Sequence, residues 1–244
     1  MSRLAENLRA VRARIDAAAR AAGRDPASVH LLAVSKTWPA ADVRALAALG
    51  QRHFAENRVQ ELTAKAAELD DLPDLRWHLV GQLQRNKAAA VARLGATVHS
   101  VDRAALVSAL DRAAQGEQRV LDVYVQVDLG GPAGELGSRG GAVPAEVPAL
   151  ADAVAESAGL RLRGLMAVAP RGEDPEPAFA RLAELAQRVR ATHPGASETS
   201  AGMSGDLEAA VTAGATVVRV GTALFGARPL TSDEQSATGP VRPL

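Results

Sequence analysis

Lys36 is the first residue that asks for chemistry. The chain has only three lysines, Lys36, Lys65 and Lys87, among its 28 lysines and arginines, so arginine supplies the ordinary surface charge. In "HLLAVSKTWP" (30–39), the apolar residues Leu31 to Val34 read as a buried strand that delivers Lys36 to its end. An amine in a partly desolvated pocket loses part of its preference for the ammonium form and can attack a carbonyl. The competing reading is a solvated strand end, or an ion pair with an acid.

A second feature lies near the other end of the chain. "TSAGMSGDLEAA" (199–210) closes one apolar run and opens a helix, and "VRVGTALFGAR" (218–228) does the same at Gly221–Thr222. Glycines and hydroxyls at helix starts offer free backbone N–H groups and a favourable dipole to a phosphate. They also serve as plain helix caps. A reactive amine beside a phosphate cradle suits an aldehyde that carries a phosphate. Pyridoxal 5′-phosphate (PLP) fits best, with Lys36 forming the Schiff base and Gly221–Thr222 holding the phosphate. A Schiff-base aldolase acting on sugar phosphates would use the same pair. Arg219, the one charge in "TVVRVG" (216–221), bears on this choice. Turned inward it would meet the pyridine nitrogen, keep it unprotonated and weaken PLP as an electron sink. Its alternative is an ion pair with an interior acid such as Glu56 or Glu198.

Other candidates are less specific. Asn57 at a strand end can contact a cofactor ring or cap a helix, and His78 is a core histidine or a neighbour of the ligand. His53, His99 and His193 lack metal-ligand spacing, and there is no cysteine to bind metal or act as a nucleophile. Lys65, in "ELTAKAAELD", reads as a solvated helix face. Lys87 reads the same way, or as a support for a loop near the site.

These residues need a scaffold. Leu4, Leu8, Val11 and Ile15 recur at helical spacing, giving an N-terminal amphipathic helix ended by Gly23 and Pro26. Eight apolar runs follow, at 30–36, 51–57, 77–81, 97–102, 121–128, 160–168, 197–202 and 216–221. Between them lie alanine-rich helical stretches long enough to cross over. The pattern predicts an α/β fold, a single (β/α)₈ TIM barrel with an extra N-terminal helix, over residues 1–230. A doubly wound open sheet is the alternative, and the turn after the first strand lacks G-x-G-x-x-G. Residues 128–144 are expected to be a flexible loop and 231–244 a disordered tail. Barrel closure sets strand eight beside strand one, and so the phosphate cradle beside Lys36. The other strand ends complete a polar ring, and Tyr124 falls in the middle of strand five.

Charge narrows the partners. Acids and bases balance at 28 each, which predicts no nucleic-acid or anionic-membrane binding. The N-terminus lacks an apolar signal core, and no run approaches the roughly 18 apolar residues of a membrane span. The expectation is a cytoplasmic protein.

In order along the chain, "LLAVSKT", "GQRHFAENRVQE", "WHLVGQLQRNK", "HSVD", "LRLRGLMAV", "GMSGDLEAA" and "VRVGTALFGAR" resemble the pyridoxal phosphate homeostasis proteins. These are single-domain relatives of the alanine racemase N-terminal barrel, of fold type III. The resemblance implies that Lys36 carries the PLP and that Ser200, Ser204, Gly221 and Thr222 surround its phosphate. It places Arg219 toward the pyridine nitrogen and Asn57 and Met203 along the ring. It implies a role in vitamin B6 homeostasis without firm catalytic activity, with apo PLP-dependent enzymes as possible recipients. Three departures stand out: Ala201 replaces a methionine, "GPLQSNK" becomes "GQLQRNK", and a lysine of the 128–144 loop is lost, with Arg139 its candidate substitute. Alanine racemases take a second base, a tyrosine, from a C-terminal β-domain. The chain stops shortly after the phosphate motif, so two-base racemization is not expected and a monomer is. One-base racemization through Lys36 and an aldolase with Asp102 or Glu56 as acid–base partner remain the alternatives.

Overall fold

The computed structural model describes residues 2–130, 140–170 and 172–226. Most of the expected loop at 128–144, Arg139 within it, the end of the expected domain at 227–230 and the tail at 231–244 lie outside the described residues.

Eight parallel strands close into a barrel in sequence order. They are β1 (His30–Val34), β2 (His53–Glu56), β3 (Arg76–Leu79), β4 (Thr97–Val101), β5 (Leu121–Val127), β6 (Leu160–Ala167), β7 (Glu198–Ser200) and β8 (Val217–Val220). Seven fall within the apolar runs, and β3 begins one residue before its run, at Arg76. β8 pairs back onto β1 through His30–Val217 to Ala33–Val220, which closes the cylinder and rules out the open sheet.

Helix α1 (Arg3–Ala21) precedes the barrel. Around it follow α2 (Ala40–Ala48), α3 (Val59–Glu68), α4 (Ala88–Leu94), α5 (Ala104–Gly116), α6 (Val147–Ala155), α7 (Pro175–Thr192), α8 (Leu207–Thr212) and α9 (Thr222–Phe225). No helix among the described residues is long and apolar enough to cross a membrane.

Strand alternation sorts the side chains onto two faces. On β5, Leu121, Val123, Val125 and Val127 join the large apolar core between sheet and helices. The intervening Tyr124 and Gln126 are also buried but lie outside that core, toward the lumen. Inside the barrel only a small apolar cluster forms, of Leu32, Val34, Ala55 and Val217 with Val80 against it. Aliphatic side chains carry the outer core, with only three phenylalanines in the chain. Each fully buried Leu or Val there contributes about 1.5–3 kcal/mol.

Helix α1 buries Leu8, Val11, Ile15, Ala18 and Ala19, as its stripe predicts. Polar side chains of α1 and of the loop after it then tie down α8 and α9. Asn7 donates to the Leu224 carbonyl (2.9 Å), and Arg24 donates to the carbonyls of Val211 (2.7 Å) and Ala215 (2.8 Å). Arg14 pairs with Glu208 (2.7 Å) and donates to the Ser204 carbonyl (3.0 Å). The extra helix thereby braces α8 and α9, the two elements that follow the glycine- and hydroxyl-bearing turns.

Candidate cofactor site

The turn that carries Lys36 is held from below. Strand β1 ends at Val34, Ser35 is fully buried, and Lys36 is half-buried at the start of the turn. Thr37 adopts a φ of 69°, in the left-handed region that a β-branched residue avoids unless its surroundings impose it. Those surroundings are visible. Ser35 N–H donates to the Ala55 carbonyl (2.9 Å) and Trp38 N–H to the Ser35 carbonyl (3.0 Å). From α3, Glu61 Oε2 accepts the Thr37 N–H at 3.2 Å.

Lys65 completes the clamp. Its Nζ donates to the Ser35 carbonyl and to Glu56 Oε1, both at 2.6 Å, and the Ser35 hydroxyl donates to the same Oε1 at 2.6 Å. The expectation of a solvated Lys65 is therefore corrected. Its position on α3 faces the barrel, and the ammonium is buried against a carboxylate that is itself fully buried. Burial pushes the Glu56 carboxyl up, and the bonds from Lys65 and Ser35 oppose it. Glu56 Oε2 is the one buried side-chain polar atom without a partner among the described residues.

Asn57 follows Glu56 at the end of β2. Its backbone is met by Gly81, where an added Cβ would lie 2.1 Å from the Asn57 carbonyl oxygen. Only glycine lets the two strand ends approach this closely.

Across the closure stand the two turns read as a phosphate cradle. Ser204 Oγ accepts the Ala223 N–H (3.1 Å), which joins the turn after β7 to the start of α9. Asp206 Oδ1 accepts the Met203 N–H (2.5 Å) and shapes the same turn. Gly221 caps α9, and a Cβ there would sit 3.2 Å from the Val34 carbonyl, two residues before Lys36. Thr222 and Met203 are exposed beside it.

Arg219 points into the barrel and is buried. Its Nη1 donates to the Ser200 carbonyl (2.6 Å) and hydroxyl (2.9 Å), and its Nη2 to the Ala167 carbonyl (2.7 Å). Burial lowers its pKa to about 10, still far above neutrality. Neither suggested acid meets it. Glu56 is taken by Lys65 and Ser35, and Glu198 accepts from Tyr124 and Arg163. Tyr124 thus has its hydroxyl at the first residue of β7, toward the opposite end of the barrel from Lys36.

The fold gathers Lys36, Asn57, Ser204, Met203, Gly221 and Thr222 around the end where β1 meets β8. Ser200 stands apart from that rim. It is fully buried, and its hydroxyl is engaged by Arg219 and by His99 Nδ1 at 3.0 Å. Desolvation holds His78 down at about 3 and His99 well below the ordinary histidine value, so both rings are neutral. Among the described residues no group of three His, Cys, Asp or Glu side chains could hold a metal ion.

Sequence reading missed the Ser35–Glu56–Lys65 clamp and the linkage among His53, His78 and His99. A signal for the histidines was present. They occupy three successive strand runs, "QRHFAEN", "WHLVG" and "TVHSVD", which the barrel sets side by side.

The profile of the "alanine racemase, N-terminal domain" family matches residues 6–229. A pyridoxal phosphate homeostasis protein of Pseudomonas aeruginosa is 49% identical over 237 residues, covering 93% of this chain and 97% of that protein. The protein of that name from Escherichia coli is 40% identical, covering 93% and 98%. Among solved structures, PipY of Synechococcus elongatus with PLP bound superposes with a TM-score of 0.79 at 41% identity, covering 92% of this chain and all of that one. Alanine racemase from Streptomyces coelicolor shares the fold, with a TM-score of 0.73 at 21% identity, and this chain covers 58% of it. With a family profile matched almost end to end and relatives of this identity, the chain belongs to the pyridoxal phosphate homeostasis protein family, built on the alanine racemase N-terminal barrel.

Proposed function

We propose that this protein holds pyridoxal 5′-phosphate on Lys36 and serves intracellular vitamin B6 homeostasis without turning a substrate over. The observation that carries this reading is the contact between Gly221 and Val34. It sets the start of α9 against the strand end that leads into Lys36. An amine and a phosphate-binding turn at that spacing match a ligand with an aldehyde and a phosphate on one small ring.

The residues fit such a ligand by their chemistry. Lys36 supplies the amine. Ser204, Gly221 and Thr222 supply hydroxyl and backbone donors for the phosphate, and Ser200, expected there from the sequence, instead holds Arg219. Arg219 supplies a fixed cation toward the ring nitrogen, and Asn57 and Met203 flank the ring. PLP brings an electron sink when bound, and an arginine opposite its nitrogen weakens that sink. The relatives' shared name and the PLP bound in PipY support the same ligand.

The non-catalytic part of the proposal rests on there being no tyrosine base across from Lys36 among the described residues. The single tyrosine, Tyr124, is tied to Glu198 rather than placed across from Lys36. On this reading the chain is a cytoplasmic monomer that holds PLP for apo-enzymes.

Adding PLP to the purified protein should raise a band at about 420 nm. Replacing Thr222 with tryptophan should weaken PLP retention without changing the fold. A protein that stays colourless sinks the reading, and unchanged retention in Thr222→Trp refutes the phosphate site. Incubation of the loaded protein with L-amino acids should give no D-isomer, and accumulating D-isomer would overturn the non-catalytic assignment.

A further inference from the structure

Four successive hydrogen bonds cross the barrel lumen. His53 Nδ1 lies 3.0 Å from His78 Nε2, and His78 Nδ1 lies 3.0 Å from His99 Nε2. His99 Nδ1 lies 3.0 Å from Ser200 Oγ, which accepts from Arg219 Nη1 at 2.9 Å. The chain starts at exposed His53, the first residue of β2, and ends beside the cation assigned to the cofactor's ring nitrogen.

Hydrogen-bond valence makes this chain one unit. A neutral imidazole has one N–H, and each N···N contact needs one hydrogen. With His78 and His99 neutral, all three rings must share a tautomer. In one state the Ser200 hydroxyl donates to His99 Nδ1, and each ring donates from Nε2 toward His53, whose own Nε2–H meets solvent. In the other state His53 Nδ1–H donates to His78, His78 Nδ1–H to His99, and His99 Nδ1–H to Ser200. A proton received at Ser200 Oγ from the site and one released at His53 Nε2 convert the first state into the second. The number of protons in the chain is unchanged.

The surroundings suit conduction rather than storage of charge. Burial and the neighbouring His30, on β1, and Arg76, on β3, lower the pKa of His53, against the pull of Glu198 on β7. Tyr124, on β5, stacks on His99 with ring centroids 4.2 Å apart. At the far end Arg219 stays protonated, with Asp206 the acid acting on it. A pyridinium brought from water against that cation is disfavoured as a like charge, so its proton must leave a buried site.

We infer that Ser200, His99, His78 and His53 form a proton relay from the Arg219 end of the site to solvent at the opposite rim of the barrel, and that it discharges the ring proton as the cofactor seats. The inference rests on the PLP reading above. The histidines touch no ligand in this scheme and act by carrying a proton.

Two measurements test it on the full chain. Nitrogen-15 NMR of the ligand-free protein should find His53, His78 and His99 in a single shared tautomer, and mixed tautomers would overturn the relay. Stopped-flow mixing with PLP in weak buffer with a pH-indicator dye should show proton release accompanying the band at about 420 nm. His78→Gln keeps a hydrogen-bonding group but cannot pass a proton through it. It should leave the final band intact and slow proton release by on the order of a hundredfold, the lower end of what a positioned proton carrier contributes. The slowing of release by deuterium oxide should shrink in the same variant. His53→Gln, at the exposed rim, should behave alike and carries the test if His78→Gln does not fold. Release at the wild-type rate in these variants, or none from the wild type as it colours, would overturn the relay alone. A wild-type protein that never colours would overturn the cofactor reading and the relay with it.

Discussion

The two faces of the barrel sheet are built on opposite principles. The outer face packs aliphatic side chains against the helices in one continuous apolar core, where Leu46, Leu62, Leu106 and Phe179 are fully buried. The lumen holds a small apolar cluster on the β1, β2 and β8 side, Met166 on β6, and the polar groups His78, His99, Tyr124, Gln126, Ser200 and Arg219. Removing water from polar groups is costly unless each finds a partner, so the lumen is specified bond by bond. The outer core is specified by volume and tolerates exchange among aliphatic residues. Stability belongs mainly to the outer face, and the proposed ligand chemistry to the lumen and its C-terminal rim.

Substitutions can break this division, and the largest effects are expected where a partner is removed or a cavity opened. Phe179→Ala should cost about 3–5 kcal/mol in chemical denaturation and leave the cofactor band per folded molecule unchanged. A change in the band would mean the two faces are not separable. Lys65→Met should cost a similar amount, about 3–5 kcal/mol, by stranding buried Glu56. Unlike Phe179→Ala it should also disturb the Lys36 turn, and Lys65→Met with Glu56→Leu should restore much of the stability. If the single change is silent, the clamp is not what holds that turn.

Acid should separate the faces next. His78 has its pKa lowered from 6.5 to about 3, so the unfolded chain binds a proton that the folded chain refuses. Stability from this neutral ring is fully present above about pH 6.5 and is lost as pH falls toward 3. Melting temperature should therefore decline through that window, and less steeply in His78→Gln. Equal slopes in both proteins would show that the lumen histidines do not govern acid sensitivity. The smallest effect is expected at exposed Met203, where Met203→Ala should shift stability by no more than about 0.5 kcal/mol while loosening PLP.

How much was legible in the sequence follows from the same division. The outer core announces itself as runs such as "LDVYVQVD", since burial on one face leaves a periodic apolar signal, and the eight strands fall where those runs lie. Strand order and closure placed Lys36 beside Gly221 before any coordinates. The buried polar groups left no comparable signal. Lys65 looked solvated because a lysine among alanines on a helix is ordinarily so, and only the reach of its side chain to Ser35 and Glu56 shows otherwise. Ser200 and Arg219 are 19 residues apart and meet because β7 and β8 are neighbours. The histidine chain depends on inward parity at three strands at once, which a one-residue shift of register would destroy.

Lys36, held by its clamp at the closure of the barrel, is the amine proposed to bond PLP. The direct test is borohydride reduction of the PLP-loaded protein, proteolysis and peptide mass spectrometry. The phosphopyridoxyl mass should appear on the peptide containing Lys36 and be missing in Lys36→Ala. A modification found instead on Lys65 or Lys87, or none at all in a protein saturated with PLP, would contradict the account.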